Sequence, residues 1–204
     1  NTYRQLALYP EAAKLLDPQV LMFSYVASQE ESAPEEAFVE LFKTLAEKTG
    51  REVKFVKYND VDEQLKALKN GELHIAGLNT GIVPPAVQRD GFVPLCTLGR
   101  DDGTFGYTMQ FLVPADSPIK KMEDIKGHKV TFTRLDSNSG CKAPLVLLMD
   151  QYKMIPERDY EWGFSQGHEE SVKLVATKDY DVAPVASDVL ARMDTAVLEA
   201  QMRE

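Results

Sequence analysis

The chain has 204 residues, is 44% hydrophobic, and sets 32 acidic against 23 basic side chains for a formal net charge of −9. That length buries one large core or two smaller ones. With no basic run to offset the negative balance, nucleic acid and anionic membrane surfaces are excluded as partners, and any anion has to be held by local donors.

In chain order, VLMFSYVA (20–27) is a short apolar strand and SAPEEAFVELFKTLAEKTG (32–50) an amphipathic helix, with Ser32 placed to cap it and Gly50 to end it. REVKFVKY alternates like a strand, DVDEQLKALKNG has helical spacing and a terminal Gly, and ELHIAGL returns to strand. Repeated βα units predict a parallel α/β sheet. Pro84 and Pro85 read as a breaker, and the Pro, Asp and Ser cluster at 114–118 as a boundary, after which the βα alternation resumes. The segments LKALKNGELHIAGLN (65–79) and VKLVATKDYDVAPVA (172–186) share length and order: apolar helix, polar turn, strand, small residues. Such units occur in any α/β protein, but two in register predict two similar lobes facing a cleft.

The stretch TRLDSNSGCKAPLVLLMD (133–150) crowds Ser137, Asn138, Ser139 and Gly140 at the mouth of an apolar helix. Free backbone N–H groups and the positive dipole end make such a mouth an anion seat, with the Ser and Asn side chains as further donors and Gly140 allowing close approach. Plain N-capping accounts for the same tetrapeptide. Cys96 and Cys141 are too few for a disulfide framework or a thiolate metal site. His74 and His128 stand on separate elements without zinc spacing and read as structural. No metal or cofactor is expected.

Across residues 20–193 the landmarks FVELFKTLAEKTGREVKF, LKNGELHIAGLN, DGTFGYTMQFLVPADSPIKKMEDIKGHKVTF, DSNSGCKAPLVLL and GFSQGHEESVKLVATKDYDVAPVASDVL stand in an order that resembles the phosphonate and phosphite class of periplasmic binding proteins serving ABC importers. The resemblance implies a type II fold: two α/β lobes, 20–113 and 114–193, closing on a small phosphorus oxyanion for delivery to a membrane permease. They follow an N-terminal extension, 1–19, and precede a C-terminal segment, 194–204. It implies ligand contacts from Ser137, Asn138 and Ser139, from Tyr107, from His168 and from Asp188. His168, at a helix start, can donate a ring N–H to an anion, which would favour its protonated form; it also reads as a solvent-facing helix-start His. Tyr107 lends a hydroxyl to the ligand or packs at a junction. Asp188 accepts from a protonated ligand oxygen or an amino group, or caps the helix DVLARM.

Two departures bear on the expectation. Where relatives often carry a ring, this chain has Val61, leaving Tyr58 as a replacement wall. The relatives also return to the first lobe after the second, whereas this chain stops at DTAVLEAQMRE. The first lobe is therefore expected to lack its return segment and to expose an edge near 20–27 and 73–78, covered by either terminus or by a second copy in a homodimer. NTYRQLALYP carries no secretion signal and no initiator Met, as expected of a trimmed extracytoplasmic protein. Rival readings are the sensory module of a larger receptor, and a hydrolase with Cys141 as nucleophile and His168 as base.

Overall fold

The computed structural model describes residues 16–25 and 35–193. The Ser32 cap, most of the 1–19 extension and the segment 194–204 lie outside the described residues. The chain divides into two units, Asn1–Leu95 and Cys96–Glu204.

In the first unit, strands β1 (Val20–Tyr25), β2 (Glu52–Phe55) and β3 (Ile75–Gly77) form a parallel sheet in the order β2-β1-β3. The alternation of EVKF survives as an alternation of burial along β2. A 3-10 turn at Glu35–Phe38 leads into α1 (Val39–Thr49), which ends at Gly50 with φ 68°. The Phe23 ring lies 5.0, 5.2 and 6.2 Å from those of Phe38, Phe42 and Phe55, so aromatic packing joins this helix to the sheet. Helix α2 (Val61–Asn70) is capped by Asp60, whose carboxylate accepts from the Glu63 N–H at 2.8 Å. Helix α3 (Val83–Asp90) corrects the expected break at Pro84 and Pro85. Both prolines sit in its first turn, where a missing N–H forfeits no intrahelical bond. Val61 packs on the cluster of Leu65, Ile82 and Ala86, so the position expected to carry a ligand-facing ring is part of the core. The Met22 N–H donates to His74 Nδ1 at 2.9 Å, tying the start of β3 to β1.

The second unit carries β4 (Met109–Leu112), β5 (Lys129–Phe132), β6 (Glu161–Phe164) and β7 (Ala183–Ala186). Parallel β5–β6, antiparallel β4–β7 and the parallel bridge of Val130 to Val182 set the order β4-β7-β5-β6. The run β6-β5-β7 repeats β2-β1-β3 of the first unit, and the repeat read at 65–79 and 172–186 is α2–β3 in one and α5 (His168–Ala176)–β7 in the other. The expected boundary at 113 separates β4 from β7; because these two strands pair, the division falls earlier, at Leu95. Val130, Phe132, Val182 and Leu148 of α4 (Ala143–Asp150) are fully buried at the centre of this unit's core. Among the described residues no helix is long and apolar enough to cross a membrane.

Parallel β5, β6 and β7 and antiparallel β4 bring three carboxyl ends and one amino end to the same edge of the sheet, the usual place for a ligand in open α/β structures. Beyond β5 the chain continues to Thr133, whose N–H donates to the Gly140 carbonyl at 3.0 Å. A Cβ on Gly140 would stand 2.1 Å from Thr133 Oγ1 and 2.8 Å from Thr133 Cβ, so no rotation of the threonine would clear it. Gly140→Ala is expected to lower stability by about 1–3 kcal/mol through overpacking, and an unchanged urea midpoint would show that the backbone yields freely.

Below the core, Asp159 accepts from the Ile155 N–H at 2.9 Å and from Arg158 at 2.8 and 2.6 Å, and pairs with Lys126 at 3.1 Å. These bonds, the Ile155 N–H first, hold its carboxyl well below the usual carboxylate range. Since its folded value lies below the unfolded one of about 3.9, the stabilisation is full above that pH and is lost as pH falls below it. Asp159→Asn should therefore flatten the loss of stability below about pH 4; thermal melts from pH 7 to 2.5 that superimpose in slope on the unmodified chain would contradict this.

Candidate functional site

The helix mouth read from SNSG opens as a π-turn, Asn138–Lys142, before α4 begins. Its Lys142 N–H bonds back to the Ser137 carbonyl at 3.1 Å. An i→i+5 turn reaches its first intrahelical donor one residue later than an α-turn, so it leaves one more amide at the mouth. Ser137 occupies the cap position with extended backbone, and its Oγ accepts from the Gly140 N–H at 3.1 Å. The capping reading of this serine therefore holds as well. Ser139 is buried at 3% exposure and Asn138 is exposed at the turn.

His168 is the first residue of α5, and its ring is held at both nitrogens. The Ala186 N–H at the end of β7 donates to Nδ1 at 3.3 Å, and Nε2 lies 3.5 Å from Ser137 Oγ. A backbone N–H can only donate, so Nδ1 is the acceptor and the neutral ring carries its proton on Nε2, facing the serine. Adding a second proton, at Nδ1, would break the Ala186 bond. With Ser137 Oγ accepting from the Gly140 N–H, the serine's own proton is left to donate outward.

Tyr107 and Asp188 come to the same edge through their neighbours. The Thr108 N–H donates to Ser187 Oγ at 3.1 Å and the Ser187 N–H to the Thr108 carbonyl at 2.9 Å. Tyr107 precedes one partner and remains 41% exposed; Asp188 follows the other in the first turn of α6 (Ser187–Arg192). The cap position of α6 belongs to Ala186, which corrects the alternative reading of Asp188 as a cap. The structure thus brings Ser137 and His168 into contact, with Asn138 and Ser139 in the π-turn that follows Ser137, Tyr107 ahead of β4 and Asp188 in the first turn of α6.

Two basic residues belong to this stretch, Arg134 ahead of the turn and Lys142 within it. Arg134, at the start of the loop, is paired by two hydrogen bonds with Asp136 at 3.0 and 2.6 Å. Cys141 is buried in the core at 1% exposure, and burial pushes its thiol up, against the thiolate a nucleophile needs. His128 Nδ1 lies 3.2 Å from Asp181 Oδ2 in a structural contact. Thr133, Ala186 and Ser187 were missed by sequence reading because they act through backbone groups or a partner distant in the chain. Asn138 also lines a cavity of about 480 Å³ along α4, with Met109, Lys142, Val146 and Leu147.

Comparison with known proteins bears on the fold and the family. A binding protein component of an ABC phosphonate transporter from Pseudomonas aeruginosa superposes with a TM-score of 0.67 at 19% identity, over 92% of this chain and 63% of that one. PhnD1 from Prochlorococcus marinus, in complex with methylphosphonate, gives 0.68 at 17% identity over 91% and 71%. The periplasmic aliphatic sulphonate binding protein SsuA from Escherichia coli gives 0.55 at 18% identity over 90% and 55%. These likenesses establish the type II periplasmic binding protein fold, and the chain spans 63% of the length of the first of them. No curated protein matches the sequence. Residues 23–203 match the family of ABC transporter, phosphonate, periplasmic substrate-binding proteins, and with most of its length inside that match the chain belongs to this family.

Proposed function

We propose that the chain binds a small phosphonate outside the cytoplasm and delivers it to an ABC permease, with the loop Ser137–Ser139, His168, Tyr107 and Asp188 as its contacts. The observation that carries this reading is the pair of pre-set donors at the π-turn. His168 Nε2–H is fixed by the Ala186 amide, and the Ser137 proton is turned outward because its oxygen already accepts. Fixed dipoles of this kind hold an anion without a basic patch, which suits a protein of net charge −9.

The open cavity beside Asn138, where Met109, Val146 and Leu147 stand with Lys142, Asp150 and Gln151, offers room for an organic substituent on phosphorus. Asp188 next to the paired Ser187 suits a ligand that brings a proton or an amino group to that side. Binding would shift the population toward the form a permease recognises.

Replacing Ser137 and Ser139 together by Ala is expected to weaken methylphosphonate binding by about 1–3 kcal/mol per lost buried donor, with the fold retained. Calorimetry against methylphosphonate, phosphite, phosphate and an alkanesulphonate measures this and ranks the ligands. Unchanged affinity in the double variant would remove the loop from the site, and phosphate bound more tightly than methylphosphonate would overturn the role given to the cavity. The same titrations at two protein concentrations, followed by light scattering, read the homodimer anticipated from the sequence.

A further inference from the structure

Between β6 and His168 the chain makes a three-residue turn, Ser165–Gln166–Gly167, whose middle residue has φ 74°. That left-handed conformation disfavours a residue with a side chain and persists only where the surroundings hold it. Two backbone bonds hold its first half: the Ser165 N–H donates to the Phe132 carbonyl at 2.8 Å and the Gln166 N–H to the Thr133 carbonyl at 3.1 Å. The second half is held by a pair of buried serines. Ser165 Oγ lies 2.9 Å from the Gly167 carbonyl, its nearer acceptor, and 3.2 Å from the Phe132 carbonyl, and Ser171 Oγ is 2.6 Å from it; the Ser171 N–H makes the helix's own bond to the Gly167 carbonyl at 3.0 Å, which does not depend on its side chain. Ser171 is fully buried and lies one helical turn beyond His168.

Gly167 is the cap residue of α5 and has no side chain with which to anchor the helix start. Its direction is set by the carbonyl to which Ser165 Oγ donates, with the Ser171 hydroxyl donating to Ser165 Oγ in turn, and the next residue is His168. If the clamp is opened, Gln166 can fall back to negative φ, and the rotation is passed through Gly167 to the imidazole.

We infer that Ser165 and Ser171 are positioning residues for His168, holding a strained turn so that Nε2–H faces Ser137 and the anion seat. The inference rests on the proposed role of His168 as a ligand donor. Packing alone would make the two serines replaceable by alanine with a cost in stability and no effect at the site.

The test measures methylphosphonate affinity by calorimetry and the ring nitrogens of His168 by 15N NMR, in the full chain carrying S171A, S165A, Q166G or the pair Q166G with S171A. The expected result is about a tenfold loss of affinity in each serine variant, with the single Nε2–H tautomer giving way to a mixture. Q166G has no side-chain strain to release, so adding it to S171A should recover most of the affinity and of the tautomer. Serine variants that lose thermal stability but keep both the affinity and the tautomer would overturn the inference. So would a Q166G background in which S171A costs as much as before. His168→Ala at unchanged affinity would instead overturn the proposed site, while the ring spectra of the serine variants still decide whether they position the imidazole.

Discussion

Everything at the site hangs on the way Thr133 meets Gly140. The threonine side chain fills the space where any other residue would carry a Cβ, its N–H holds the Gly140 carbonyl, and its own carbonyl holds the Gln166 N–H. One residue just past the end of β5 therefore fixes both the π-turn that presents the Ser137 cap and the turn that delivers His168. Its hydroxyl is buried without a hydrogen-bond partner, a cost accepted in exchange for the fit of the side chain against the glycine. Close packing transmits position better than hydrogen bonds between flexible side chains do, because a filled space has no alternative arrangement of similar energy.

The second constraint is electrostatic. A chain with nine more acidic than basic residues cannot attract a phosphorus oxyanion by its overall field. The nearby guanidinium of Arg134 is matched by Asp136, so the proposed seat would rely chiefly on short-range dipoles: amides at a widened helix mouth, a serine proton and an imidazole N–H. Such donors cost no reorganisation when the ligand arrives, provided the scaffold keeps them aimed. This is why the imidazole is tied at its far nitrogen to a strand end. An untethered ring would divide its proton between two nitrogens and lose part of its donor strength.

Much of the fold was legible in the sequence. Alternation marked β2, Gly50 and Gly71 closed their helices as expected, and the two helix-turn-strand segments became equivalent parts of two sheets with the same parallel core order. The failures have local causes. Pro84 and Pro85 looked like a break because a proline pair interrupts a helix interior, but the same pair suits a first turn, and only the position of the helix start decides between them. Val61 looked like a lost aromatic wall because its burial against Ile82 and Ala86 depends on residues about 20 positions away. At the site, the serine-rich mouth was readable as a donor cluster. The contact between Ser137 and His168 spans 31 residues, and nothing in either segment announces it.

By itself, the sequence determined the class of structure, parallel βα units in two similar sets, and it offered a cluster of neutral donors rather than a basic patch. These follow from periodicity, capping and composition, which act over a few residues and are written in the chain. The tertiary structure alone decided which nitrogen of His168 carries the proton, which residue crowds Gly140, and that Asp188 stands inside its helix while the cap position goes to Ala186. Each of these depends on where strand ends meet, and that meeting is set by sheet order and register, to which residues far apart in the chain contribute together.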